Sequence, residues 1–326
     1  MKTPISLIID DPAPVVSVYH EHAKSRTTKD GRPLIPTFSN SLLFQFCDIV
    51  EKHSIKGKFS VVPMPGNKGD IVSGLEGVAQ ADLQEWLDTV KARVVPSFTI
   101  GPELLTHHQA VDLATGASLG IKECDWASTQ NRTTLTPYIA KALTLLKQAG
   151  FSSYGVTSPW NFGIEVEDEY VASISQAVYE VSGSKNAWYF LRALRDVPNA
   201  KPWIALEDGE RTVVSIPATT RDHIWQTIDT ARTDQAYIHA VADMLITQDG
   251  KSGEIIRVLE RDGWPILCTH WQSLMSNGLG TGLRVLDEVA DRINRLLFDR
   301  VVWMRFSDIM ELVLSDKASY PKPIFQ

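Results

Sequence analysis

The stretch "SLIIDDPAP" (6–14) decides how this chain is read. A run of branched apolar residues gives way at once to two adjacent carboxylates, Asp10 and Asp11. The run has the composition of a buried strand. Like charges side by side repel, and burying a charge is costly unless it is paired. A core strand that ends in an acidic doublet therefore calls for a cation at its end, or for a turn, since "DDPAP" is also good turn chemistry.

Working outward, short apolar runs alternate with helical patterns. Strand-like runs fall at 5–9, 57–62, 93–100, 152–159, 186–194, 211–220, 264–270 and 300–306. Between the first two, Leu42, Leu43, Phe46, Ile49 and Val50 share one helical face. Leu83, Trp86, Leu87 and Val90 do the same after an N-cap at Asp82. The segment 136–150 reads as a helix with Thr136 as cap, Pro137 at its first position and Gly150 at its end. Further helices fall at 167–183, 233–249, 252–262 and 281–297, the last capped by Thr281. Asp308 and Glu311 have capping-box spacing at the start of a final helix. The segment 103–135 lacks periodicity and reads as one long loop.

Strands separated by helices imply parallel pairing, because a parallel pair needs a crossover. Runs this apolar suit a sheet covered on both faces. Seven or eight such units in one domain spanning 1–326 predict an α/β fold, a distorted (β/α) barrel. A doubly wound open sheet is the alternative, but no GxGxxG or GxxxxGK[ST] follows any strand.

The bulk composition narrows the partners. The chain has 326 residues, 44% hydrophobic and 22% charged, with net charge −7, which argues against a nucleic-acid groove or an anionic membrane surface. Cys47, Cys124 and Cys268 are too far apart for a CxxC site or a disulfide framework, and suit a reducing compartment. The start "MKTPISLIIDDP" is too short in apolar residues for a signal peptide, and no run approaches the roughly 20 residues needed to span a bilayer. A cytoplasmic protein with a small-molecule or carbohydrate substrate is expected, and a homo-oligomer stays open.

In a parallel β/α protein, chemistry gathers on the loops that leave the carboxyl ends of strands. Six of the eight histidines fall in those loops. The loops carry Asp10, Asp11, His20, Glu21 and His22, then Glu103, His107, His108 and Asp112. Next come Ser158, Trp160 and Asn161, then Arg221, Asp222, His223 and Trp225, and finally His270, Trp271 and Gln272. If "HHQAVD" (107–112) is helical, His108 and Asp112 stand at i and i+4 and share a face. With Asp11 they would form an Asp-His-Asp site for a divalent metal such as zinc. If the segment is a turn, His107 replaces His108. A cation at Asp11 would also relieve the repulsion within the doublet and leave Asp10 to accept a proton.

The pattern resembles the polysaccharide deacetylases of the glycoside hydrolase/deacetylase superfamily, whose fold is a distorted β/α barrel. In "IIDDP" the resemblance makes Asp10 the general base and Asp11 a metal ligand. "ELLTHHQAVD" stands where the family has its two-histidine metal motif. Spacing to Asp112 selects His108, whereas aligning Glu103 with the family's preceding acid selects His107 and puts Val111 on the second ligand position. "SPWNFG" (158–163) has the proline of a later motif without the arginine that orients the base, a role that is either unfilled or passes elsewhere, with Arg221 as candidate. "LCTH" matches the late motif that supplies the general acid, His270. The resemblance implies metal-assisted hydrolysis of an acetamide or related amide on a sugar, with Trp160, Trp225 and Trp271 as faces for the ring. Two further readings remain: a metal-free glycoside hydrolase using two carboxylates, such as Asp10 with Asp222, and a barrel that binds carbohydrate without turnover.

Overall fold

The computed structural model describes residues 2–323. Two sheets form its centre. In the first, β1 (Thr3–Asp10) lies between β2 (Gly57–Val61) and β8 (Ile266–His270), and β3 (Phe98–Pro102) continues from β2. β9 (Val301–Trp303) pairs with the first residues of β1. In the second sheet, β4 (Gly155–Thr157), β5 (Asn186–Phe190), β7 (Arg211–Ser215) and β6 (Trp203–Asp208) follow in that spatial order. Eight of these strands pair in parallel. Only β6 runs antiparallel, to β7.

The expected ring of seven or eight parallel strands is thus drawn as two sheets and not as one closed ladder. Hydrogen bonds link them at two seams. At one, Leu104 N donates to Thr157 O at 3.0 Å; at the other, Thr219 N donates to Ile266 O at 2.9 Å. Gly155 and Gly101 lie against the Trp188 indole beside the first seam.

Strand alternation sorts the side chains. Leu7 and Ile9 pack outward, under α1 (Asn40–His53), α2 (Gln80–Thr89), α5 (Gln235–Leu245), α6 (Glu254–Glu260) and α7 (Thr281–Leu296). The second sheet is covered by α3 (Arg132–Gln148) and α4 (Glu167–Ser182). Ile8 points the other way, into a separate cluster with Trp188, Phe190, Val214, Ile216, Ile266 and Cys268. Phe306, Ile309 and Met310 of α8 (Phe306–Ser315) join that cluster. Asp10 continues the inward row of Ile8, so the first acid of the doublet belongs to the interior.

Several local expectations need correction. Val90–Val94 is a π-helical continuation of α2, so the third strand starts at Phe98. Helix α2 begins at Gln80 with Ala79 as N-cap, placing Asp82 in its first turn. Helix α3 starts at Arg132, because Asn131 and Thr134 form a capping box; Pro137 lies inside it, past the first turn, where it can donate no hydrogen bond to the Thr133 carbonyl. Gly280, not Thr281, caps α7, and Asp308 closes the box of α8 from its third position with Arg305 as N-cap. The segment 103–135 is not one loop. It holds a hairpin of Gln109–Val111 with Ser118–Lys122, the short helix Glu123–Ala127 and the start of α3. Among the described residues, no helix is long and apolar enough to cross a membrane.

Candidate metal and acid–base centre

Asp10 and His270 are register partners at the carboxyl ends of β1 and β8. Asp11 follows with φ 67°, in the left-handed region that an aspartate tolerates better than most residues. That turn brings the second carboxylate to the same rim as the first. Both acids line a cavity of about 280 Å³ with His22, Glu103, His107, Trp160, Asn161, Trp225, His270 and Gln272.

Asp11 is 2% exposed and meets polar groups from two other segments. Its backbone N donates to Glu103 Oε2 at 2.6 Å, and Gln272 Nε2 donates to its Oδ2. His107 Nε2 stands 2.8 Å from Asp11 Oδ1 and 3.3 Å from Glu103 Oε1. Ligand atoms of Asp11, Glu103 and His107 all lie within 4.8 Å of one another. The His22 ring stacks on that of His107 with centroids 5.0 Å apart, and Trp160 covers His107 at 4.3 Å.

Charge in this buried group is tightly linked. Burial alone would push the Asp11 carboxyl up, but the His107 charge holds it well below the usual carboxylate range. Burial and the neighbouring Asp11 and Asp10 charges push Glu103 up to about 7. Burial opposes charge on His107, yet the Asp11 and Glu103 charges raise it well above the ordinary histidine value. Burial, then the His107 charge, drive His22 down to about 3, so its ring is neutral at pH 7.

These residues fit a divalent cation. The donor set of carboxylates and imidazoles suits zinc and its neighbours. Three buried polar atoms around it, Asp11 Oδ1, His107 Nδ1 and His22 Nε2, lack an aligned hydrogen-bond partner among the described residues. Buried polar atoms are seldom left so.

The loop that presents His107 is held from below. Glu123, fully buried, accepts hydrogen bonds from the backbone N of Leu105, Thr106 and His107 at 2.9, 3.0 and 3.0 Å, and from Tyr138 Oη at 2.8 Å. His107 itself has φ 51° and Trp160 φ 52°. Non-glycine residues held there store strain, a feature that clusters at functional sites.

A second set of contacts fixes Asp10 and His270. Lys58 Nζ, fully buried on β2, donates to Asp10 Oδ1. Cys268 Sγ lies 3.8 Å from Asp10 Oδ2. His270 Nδ1 lies 2.8 Å from Asp222 Oδ2, and His270 N donates to the same oxygen at 3.1 Å. Ser273 Oγ adds a bond to Asp222 at 2.6 Å. Trp225 meets the His270 ring edge-on at 5.1 Å.

Not every expected residue arrives here. His108 and Asp112 are not neighbours on a helix, because Gln109–Val111 is a strand. His107 faces Asp11 in place of His108. Asp112 instead closes the hairpin turn, accepting from the N of Ala114 and Thr115 at 3.0 and 2.8 Å. Val111, at the family's second ligand position, is core. Arg221 does not reach Asp10; its guanidinium pairs with Glu254 and Asp196 at 2.9 and 2.8 Å. Trp271 is 2% exposed and packs against Phe46 and Phe59. Asp222 is committed to His270 and to the backbone N of Ile224 and Trp225, which leaves little to serve as a second free carboxylate beside Asp10. Lys58 and Glu123 carried no signal in the sequence beyond a charge inside or beside an apolar run. His22, Glu103 and Gln272 stood in the right loops, but nothing ranked them above their neighbours.

No family model matches the sequence, and no curated protein matches it. Solved structures do. A candidate polysaccharide deacetylase from Mycobacterium smegmatis aligns over 87% of this chain and 80% of its own at 12% identity, with TM-score 0.54. The Bc1960 peptidoglycan N-acetylglucosamine deacetylase aligns over 95% and 89% at 11% identity and TM-score 0.44. A pseudoenzyme of the CE4 family from Bacillus anthracis aligns over 88% and 61% at 11% identity and TM-score 0.37. The first of these shows a shared fold, and the two weaker alignments add nothing to it. The chain is thus a remote, polysaccharide deacetylase-like α/β protein in its fold.

Proposed function

We propose that this protein is a metal-dependent hydrolase that cleaves the acetamide, or a related amide, of a carbohydrate, and that its two sheets are the halves of a distorted barrel. One observation carries the reading: Asp10, Asp11, His107 and His270, from three separate parts of the chain, line one cavity. Asp11, His107 and Glu103 would hold the cation, zinc by preference, with the neutral His22 ring beside them. That ion would supply positive charge for the acetamide carbonyl oxygen and for the attacking water.

The chain's own residues do the rest. Asp10 Oδ2, free of strong donors, takes the proton from water as its oxygen bonds to the carbonyl carbon. Lys58 already occupies Oδ1. His270 holds Asp222 through Nδ1, so Nε2–H is left to protonate the leaving nitrogen as the carbon–nitrogen bond breaks. Acetate and a free amino sugar result. Trp160 and Trp225 flank the cavity as apolar faces for the ring, and Asn161 offers an amide to its hydroxyls.

The experiment is acetate release from N-acetylglucosamine oligomers by the zinc-loaded protein. Release that stops with a chelator and returns with zinc is expected. Absence of release from the loaded protein, or release that survives both chelation and D10N, overturns the proposal.

A further inference from the structure

The arginine that orients the base in the family has no counterpart before Pro159, and Arg221 is engaged elsewhere. We infer that Lys58 is the positioning residue for Asp10: its ammonium fixes Oδ1 and thereby leaves Oδ2 as the oxygen that faces the cavity. This rests on the deacetylase reading for its kinetics, though not for its geometry.

Lys58 lies on β2, the neighbour of β1, one residue out of line with the outward-facing Phe59. Its side chain is completely buried. Taking an ammonium out of water costs several kcal/mol unless it is fully paired. Here it is. An ammonium has three donors, and they meet Asp10 Oδ1, Ser60 Oγ at 2.5 Å and Thr157 Oγ1 at 2.8 Å. The Phe190 ring lies 4.9 Å away and excludes water on that side. Apolar side chains of similar volume in place of both Lys58 and Asp10 would fill this space at no greater cost. Stability therefore does not account for the pair.

Function does. Asp10 Oδ1 takes Lys58 and, at 3.4 Å, Ser60 Oγ. Among the described residues, Oδ2 has only the weak Cys268 thiol at 3.8 Å. The two oxygens are thus inequivalent, and Lys58 makes them so. Three strands contribute to the clamp, Lys58 and Ser60 from β2, Thr157 from β4 and Asp10 from β1. It holds the carboxylate against rotation about its Cβ–Cγ bond, and holding a catalytic group in its reactive geometry is a recognised source of rate.

The test compares K58M and K58Q with the wild-type protein, reading turnover of N-acetylglucosamine oligomers, zinc affinity by calorimetry, and melting temperature. K58M should lower kcat by about 10- to 100-fold with KM and zinc affinity each within about threefold, because only the base has moved. K58Q, which keeps a neutral donor, should fall between. A kcat unchanged in K58M, or a loss shared equally by zinc affinity, overturns the inference. If the wild-type protein releases no acetate, the deacetylase reading fails by itself, and a double-mutant cycle decides the clamp. The melting temperature lost in K58M should then return in K58M/D10N, since the second change removes the stranded carboxylate charge. Additive losses would show that the two side chains are not coupled and would overturn the clamp.

Discussion

His270 Nδ1 lies 2.8 Å from Asp222 Oδ2, so the ring nitrogen turned away from the cavity is tied down. Burial alone would lower the His270 pKa. The hydrogen bond to Asp222 and the charges of Asp11, Asp222 and Asp10 outweigh it and raise it from 6.5 to about 9. A histidine raised in this way stabilises the fold fully below its unfolded value of 6.5, and that contribution is lost as pH rises through 9. In the chelator-treated protein, the His270 ring signal followed by NMR should titrate with a midpoint near 9, well above an ordinary histidine. D222N should bring the midpoint down by about 1 to 2 units. A midpoint near 6.5 in the wild-type protein would show that the Asp222 contact does not govern the ring.

Adjacent aspartates should behave differently. Asp11 shares its surroundings with His107 and Glu103, whereas Asp10 faces Lys58 and Cys268. D11N and H107A should each lose zinc affinity by about 10-fold or more, together with turnover. D10N should lose turnover while zinc affinity stays within a few-fold. Calorimetry with zinc and acetate release separate the two outcomes. Equal behaviour of D10N and D11N in both measurements would refute the division of roles.

Much of this architecture was legible in the sequence, and the limits are physical. The eight parallel strands announced themselves as short apolar runs, and in all but β9 both faces are covered. β6 escaped notice because its residues are only partly buried, so its pattern resembles a loop. The rim histidines could be collected but not ranked. Whether His107 or His108 turns inward depends on the left-handed backbone at His107, which Glu123 enforces from 16 residues away. Lys58 was invisible for a related reason: a lone lysine in "GKFSV" reads as an exposed position until the strands are arranged around Asp10.

Glu123 gives the third prediction. Its carboxylate accepts three backbone N–H groups of 105–107 and the Tyr138 hydroxyl, all out of water. Burial raises its pKa despite those bonds. E123A would leave those donors without partners, at a cost of about 2–4 kcal/mol in denaturant unfolding. Zinc affinity should drop as well, since His107 loses the support that keeps its φ positive. Unaltered stability and zinc binding in E123A would mean that the loop holds its shape without the buried carboxylate.

The last prediction concerns the β4–β5 ladder beside the seam between the sheets. A Cβ added at Gly155 would fall 2.3 Å from both Trp188 Cδ2 and Trp188 O. Neither approach is tolerable, and the second involves backbone held in the β4–β5 ladder, where Gly155 pairs with Trp188. G155A must therefore push β4 away from β5, at about 1–3 kcal/mol or more. Trimming the indole cannot relieve a clash with a carbonyl oxygen. W188F should consequently fail to recover the loss, so that G155A/W188F is no more stable than G155A in denaturant unfolding. Recovery in the double variant would mean that the indole alone sets the spacing and that the strands can part without cost.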